Sequence, residues 1–261
     1  MDSEYTLGVS IGQGRISPHI PYLMGFLSSH FANLNREQFK IFLSHASKCK
    51  TLETLTEVLH DLNETNKNLS IKNIIFYLSV QDREILNVYH PLKDVLSSVS
   101  DCRISYVHFS GSFYHPEIVG IHPLMTFTKE IKYPQHIYED LPLKCDHQDW
   151  VRSHSSRLEY IPPEDKPLYH ALCVMLGNFP QLLIDLISKK MPEKFDIQDF
   201  KYLISYSIQN VLEMGSKGLT GPHIRKDIET ITKNLKSLEG TELKSVYTEM
   251  SEMFLKEASH A

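Results

Sequence analysis

The stretch YTLGVSI (Tyr5–Ile11), followed without a break by Gly12-Gln13-Gly14-Arg15-Ile16-Ser17, decides how the first part of this chain is read. The apolar run reads as a strand, and the glycines read as the tight turn that leaves it. In such a turn the first glycine permits the reversal and the second lets the backbone approach an anion. A helix that follows aims its unpaired N–H groups at the same anion. The third position needs a small residue for helix-to-strand packing, and Ser17 satisfies that. The letters alone equally describe an ordinary glycine turn. Their place, at the first strand-to-helix turn, is what favours a phosphate cradle. Pro18 and Pro21 fall in the first turns of the expected helix, where a missing N–H is tolerated.

Working outward, a helical stretch runs to about His30, and FKIFLSHA (Phe39–Ala46) reads as a second strand. TLETLTEVLHDL, NIIFYLSV (Asn73–Val80), REILNVYHPLKDVLSSV and RISYVHFSG (Arg103–Gly111) continue the alternation of helical and strand-like runs. That alternation is the pattern of βαβ units in a parallel sheet. The near-continuous apolarity of NIIFYLSV and ISYVHF is expected of central strands covered on both faces. After Gly111 the shorter pieces VGIHPLMTF (Val119–Phe127), LPLKCD (Leu141–Asp146) and RLEYIPP (Arg157–Pro163) are either further strands at one sheet edge or ordered loops. Pro162 and Pro163 mark a boundary.

From Glu164 onward apolar residues recur at three- and four-residue spacing, so a helical domain is expected over residues 164–261 after a sheet domain over residues 1–163. Asp227 is placed to cap the third of its helices, and Gly215 and Gly218 to stop the second. Tyr169, Leu172, Leu176 and Leu183 form a stripe that is either core or a dimer seam. The expected class is α/β, with an N-terminal Rossmann-type, mainly parallel sheet followed by an all-α C-terminal domain.

At 261 residues the chain can bury its cores without disulfides, and Cys49, Cys102, Cys145 and Cys173 are scattered, which fits a reducing cytoplasmic setting. A net charge of -5 with dispersed basic residues argues against nucleic acid. No run approaches roughly twenty uninterrupted apolar residues, so neither a membrane span nor a signal peptide is expected. HExxH and Walker patterns are missing, so no catalytic metal is expected and the partner is expected to be a small molecule.

GQGRIS is a variant of the dinucleotide fingerprint, which makes Gly12, Gln13, Gly14, Arg15 and Ile16 the expected cofactor-binding residues, with Ser79 and Val80 at the end of NIIFYLSV. An acid at the end of the second strand holds the ribose 2′-hydroxyl of NAD, whereas polar or basic residues there suit the 2′-phosphate of NADP. The expected end is Ser44-His45-Ala46-Ser47-Lys48. Having no acid, it assigns Ser44, His45 and Ser47 to NADP, with NAD as the alternative cofactor and a solvated loop as the alternative structure.

GQGRIS, LSVQDREI at the expected fourth strand, HFSGS at the fifth, GIHPLMTF, PLYHALCVMLGNF and GLTGPHIRKD occur in an order that resembles a Rossmann-like family of NAD(P)-dependent oxidoreductases, whose C-terminal helical domain has no assigned function. The resemblance spans essentially the whole chain. HPLMTF is similar to the family's HPLQTF, and LTGPHIRKD to its LTGP-x-x-R-x-D. It implies kinship with ketopantoate reductases, pyrroline-5-carboxylate reductases and β-hydroxyacid dehydrogenases, in which substrate sits between the cofactor domain and helices that often form a dimer. Ser17 departs from the family's third glycine, and CDHQDWVRSHSSRLEYI is shorter than the usual stretch there.

Hydride transfer belongs to the nicotinamide, so the protein must orient the reacting carbon and supply a proton or hydrogen bond. His122 or Ser110 is expected to supply it, with Asn178 as orienting group. The alternative is that these side chains cap backbone groups and brace a helix. Arg225 offers a fork for a carboxylate, or else pairs within an interhelical turn. The expected function is an NADP-preferring oxidoreductase acting on a small carbonyl, imine or hydroxy acid. The alternative is a non-catalytic dinucleotide-binding sensor or accessory protein.

Overall fold

The computed structural model describes residues 5–28, 30–49, 51–63, 71–99 and 102–257. Its contacts form two compact units, Met1–Asn178 and Phe179–Ala261. The first unit contains β1 (Tyr5–Ile11), α1 (Ile20–Leu23), β2 (His30–Leu34), α2 (Arg36–Ala46), α3 (Leu52–Asn63), β3 (Ile71–Leu78), α4 (Ile85–Leu96) and β4 (Arg103–His108). It continues through β5 (Val119–Pro123), α5 (Gln135–Asp140), β6 (Leu143–Cys145), α6 (Gln148–Ser153), β7 (Leu158–Tyr160) and α7 (Lys166–Cys173).

The sheet order is β2-β1-β3-β4-β5-β6-β7. β2 through β5 run parallel, β6 is antiparallel to β5, and β7 is parallel to β6. This is the expected α/β fold with a mainly parallel sheet, and the pieces after Gly111 are strands at one edge. Alternate residues face opposite layers. Leu7, Val9, Ile11, Ile74, Phe76 and Leu78 pack with Phe42, Leu55, Tyr89 and Leu92 of α2 to α4. Ile75, Tyr77, Val107 and Ile121 pack on the other face with Ile20, Leu23 and Tyr138. Each such large apolar side chain contributes about 1.5–3 kcal/mol by leaving water.

The second strand corrects the sequence reading. FKIFLSHA is not a strand but the body of α2, and β2 is the short HFANL before it. Asn35 accepts from the N–H groups of Glu37 and Gln38, while the Gln38 side chain accepts from the Asn35 N–H, so a capping box starts a helix there. Phe42 and Ala46 then face the core four residues apart. NIIFYLSV and RISYVH hold the third and fourth strands rather than the expected fourth and fifth. The helical stretch after the glycine turn is also short: a 3₁₀ turn at Ser17–His19 leads into the four residues of α1.

The second unit holds α8 (Phe179–Lys190), α9 (Lys201–Met214), α10 (Ile228–Ser237) and α11 (Leu243–Glu257), all helical as expected. Gly215, at φ 58, ends α9, and Asp227 caps α10 by accepting from the Thr230 N–H at 3.0 Å. Leu203, Tyr206, Leu212 and Met253 are exposed. Residues Pro163–Lys190 form one helix, with a π-turn at Val174–Asn178, that is long and apolar enough to cross a membrane by length and composition.

Candidate functional site

β2 and β3 lie on opposite sides of β1, so the strand order reverses there and a crevice opens at the C-terminal ends of β1 and β3. The glycine turn fills this place. Gly12 has φ 114, and a Cβ on it would stand 2.6 Å from the Ser79 carbonyl oxygen. One on Gly14 would stand 2.8 Å from the same oxygen. Neither position accepts a side chain, because the Ser79 backbone closes the gap.

Ser79 is the brace beneath this turn. Its hydroxyl donates to the Ile11 carbonyl at 2.8 Å and accepts from Ser17 at 2.8 Å and Ser10 at 3.2 Å. Ser17, standing where a third glycine is usual, thus ties the turn to β3. Among the described residues, the N–H groups of Gln13, Gly14, Arg15 and Ile16 have no acceptor within the chain. The short α1, with Pro21 in it and Pro18 in the 3₁₀ turn before it, leaves these amides, rather than a long helix dipole, as the attraction for an anion.

Two cavities meet at Gly14. One, of about 580 Å³, runs toward β2 past Gln13, Ser17, Phe31, Asn33 and Lys129. The other, of about 310 Å³, runs past Arg15, Ile16, Ser79, Val80, Asp82, Ser110 and His122 at the ends of β3, β4 and β5. Bare backbone between two cavities fits the pyrophosphate of a dinucleotide.

Ser44, His45 and Ser47 lie elsewhere. They end α2, exposed, and each side chain bonds to its own helix, Ser44 and His45 to the Ile41 carbonyl and Ser47 to the Ser44 carbonyl. The crevice end of β2 is Leu34, followed by Asn35 and the exposed Arg36. The missed signal was Asn35-x-x-Gln38, a helix start written in the sequence before the run that was read as a strand.

In the second cavity Ser110 is buried, and its hydroxyl donates to Asp82 at 2.6 Å while accepting from the N–H groups of Ser112 and Phe113. These bonds match the capping alternative. His122 bonds through Nδ1 to the Tyr169 hydroxyl at 2.7 Å. Burial, with His170 and Lys166 nearby, lowers its pKa to about 4, so the ring is neutral at physiological pH. Burial likewise raises the pKa of Tyr169. Asn178 is exposed at the end of the π-turn and lines neither cavity. Arg225 belongs to the second unit, in the turn before α10.

Sequence reasoning missed the ion pair behind this cavity. Asp146 accepts from Lys166 Nζ at 2.5 Å, His147 Nδ1 at 2.6 Å and the Gly120 N–H at 2.7 Å. Burial opposes its charge, but the bonds from His147 and Lys166 prevail and hold the carboxyl below its ordinary range. Lys166 also reaches the Ser110 carbonyl at 3.4 Å, which joins α7 to the loop after β4. His108 is buried and accepts the Ser110 N–H at Nδ1, and burial lowers its pKa to about 3.

Residues 146–254 match a family described as a domain of unknown function, DUF2520. The fold is similar to the crystal structure of "putative NADP oxidoreductase BF3122 from Bacteroides fragilis", with a TM-score of 0.64 and 15% identity over 98% of this chain and 100% of that one. It is also similar to protein TM1727 from Thermotoga maritima, with a TM-score of 0.60 and 18% identity over 97% of this chain and 98% of that one. At these identities the likeness is one of fold. No curated protein matches the chain.

Proposed function

We propose that this chain is a cytosolic, homodimeric oxidoreductase that binds NADP(H) across the β1/β3 crevice and acts on a small carbonyl, imine or hydroxy acid. The observation that carries the reading is the approach of Gly12 and Gly14 to the Ser79 carbonyl between the two cavities. The N–H groups of residues 13–16 hold the pyrophosphate, and Arg36 after β2 suits a 2′-phosphate where an acid would suit a ribose hydroxyl. The bound nicotinamide supplies or takes the hydride. Neutral His122 offers a hydrogen bond, and the Ser110–Asp82 pair keeps the loop after β4 in place. The four cysteines are free thiols, in keeping with a reducing compartment.

Calorimetric titration with NADPH, NADP, NADH and NAD tests this reading. NADP(H) should bind more tightly than NAD(H), Gly14→Asp should bind none of the four, and Arg36→Glu should lose about 1.5–3 kcal/mol of NADPH affinity, the worth of hydrogen bonds to a charged group. Absence of binding to all four would remove the proposal. The saturated Ser110 hydroxyl and the exposed Asn178 favour a second reading, a dinucleotide-binding protein without turnover. NADPH binding with no NADPH consumption across carbonyl, imine and hydroxy-acid panels would select it.

A further inference from the structure

His122 meets the Tyr169 hydroxyl at Nδ1, and Tyr169 stands on α7, whose first residue is the buried Lys166 bonded to Asp146. The ion pair therefore sets where the phenol sits. A neutral imidazole carries one proton, and the nitrogen that holds it decides whether the cavity meets an N–H donor or a lone pair. A phenol O–H donates better than an imidazole N–H, and an imidazole nitrogen accepts better than a phenol oxygen. The pair is thus more stable with Tyr169 donating to His122 Nδ1. In the reverse arrangement the Tyr169 proton would turn to the thiol of Cys173, a weak acceptor. With Nδ1 accepting, the proton of His122 lies on Nε2, which has no partner among the described residues.

We propose that Tyr169 is a positioning residue that locks His122 as its Nε2–H tautomer, so that the cavity presents a neutral hydrogen-bond donor to the oxygen of a carbonyl or hydroxyl substrate. The substrate class rests on the oxidoreductase reading, whereas the tautomer does not. A carbonyl oxygen has two lone pairs to accept the bond, but a protonated imine has an N–H and none. Gly111 keeps this edge of the ring open, since a Cβ there would stand 3.1 Å from His122 Nε2 and 2.4 Å from His170 Nδ1.

The test is imidazole ¹H–¹⁵N correlation on the ¹⁵N-labelled full-length protein at neutral pH without cofactor. His122 should show a protonated Nε2 and an accepting Nδ1. Tyr169→Phe should mix the tautomers while leaving NADPH affinity within about twofold, because Tyr169 itself lines neither cavity. With a carbonyl substrate in hand, the same variant should lower kcat by about tenfold with less effect on KM, the order of one lost hydrogen bond. A protonated Nδ1 in the wild type, an imidazolium at neutral pH, or an unchanged ring in folded Tyr169→Phe would each overturn the proposal. The wild-type spectrum decides even where the variant does not fold. Failure to bind NADPH with the tautomer as stated would remove the oxidoreductase reading alone.

Discussion

Gly12 is the residue whose replacement has the clearest cost. At φ 114 an alanine is strained whatever the space, and its Cβ would press on the Ser79 oxygen. Gly12→Ala should lose about 1–3 kcal/mol of stability, read from urea unfolding, together with dinucleotide binding. Its role was legible because a tight turn constrains the backbone itself. That of Ser79 was only half legible. Its place at a strand end was in the sequence, but its bonds to Ser10, Ser17 and Ile11 join residues far apart in the chain. Lys166 was not legible at all, since a lysine beside a proline reads as a solvated helix start. Lys166→Met leaves Asp146 buried without its cation and should cost about 3–5 kcal/mol in the same measurement. A loss under about 1 kcal/mol would mean that the pair does not hold α7.

Among the elements, α2 shows how local signals compete. FKIFL carries apolar residues densely enough to pass as a strand, and the capping box from Asn35 to Gln38 directly before it settles the matter. β2 escaped notice because five residues at a sheet edge carry little period. His108 ends β4 and His122 stands one residue before the end of β5, and burial lowers their pKa values to about 3 and about 4, below the ordinary histidine value of about 6.5. The unfolded chain therefore binds more protons than the folded one as pH falls below 6.5. Their stabilising effect is complete above that value and is lost as pH falls toward 4 and then 3. Urea midpoints should drop steadily from neutral pH to about pH 4, with roughly two protons taken up on unfolding. A flat profile would show that these rings are solvated in the folded protein.

Over the whole molecule, the helical unit leaves many of its large apolar side chains exposed. Ile231 is buried, but Leu182, Leu203, Leu212 and Met253 are each more than half exposed, as are Leu168 and Leu176 on the helix before them. An exposed apolar face of this kind is covered in a stable protein, and a second copy of the chain covers it in the proposed homodimer. Light scattering should give twice the 30.2 kDa of one chain, and Leu203→Glu with Leu212→Glu should shift the mass to one. A wild-type monomer would count against the dimer, and co-flotation with lipid vesicles would assign the apolar helix to a membrane instead.

Legible in the sequence alone are the α/β class, the glycine turn at the end of β1, the helical character of the chain from Glu164 onward and the caps at Gly215 and Asp227. Each rests on periodicity or backbone constraint within a few residues, and such information is local. Strand order and side-chain direction settled instead that β2 pairs with β1, that Ser110 is spent on Asp82, and that Tyr169 reaches His122. These are pairings across the sheet and between distant segments. Side-chain direction and strand order create them, and neither is written in any short stretch of the chain.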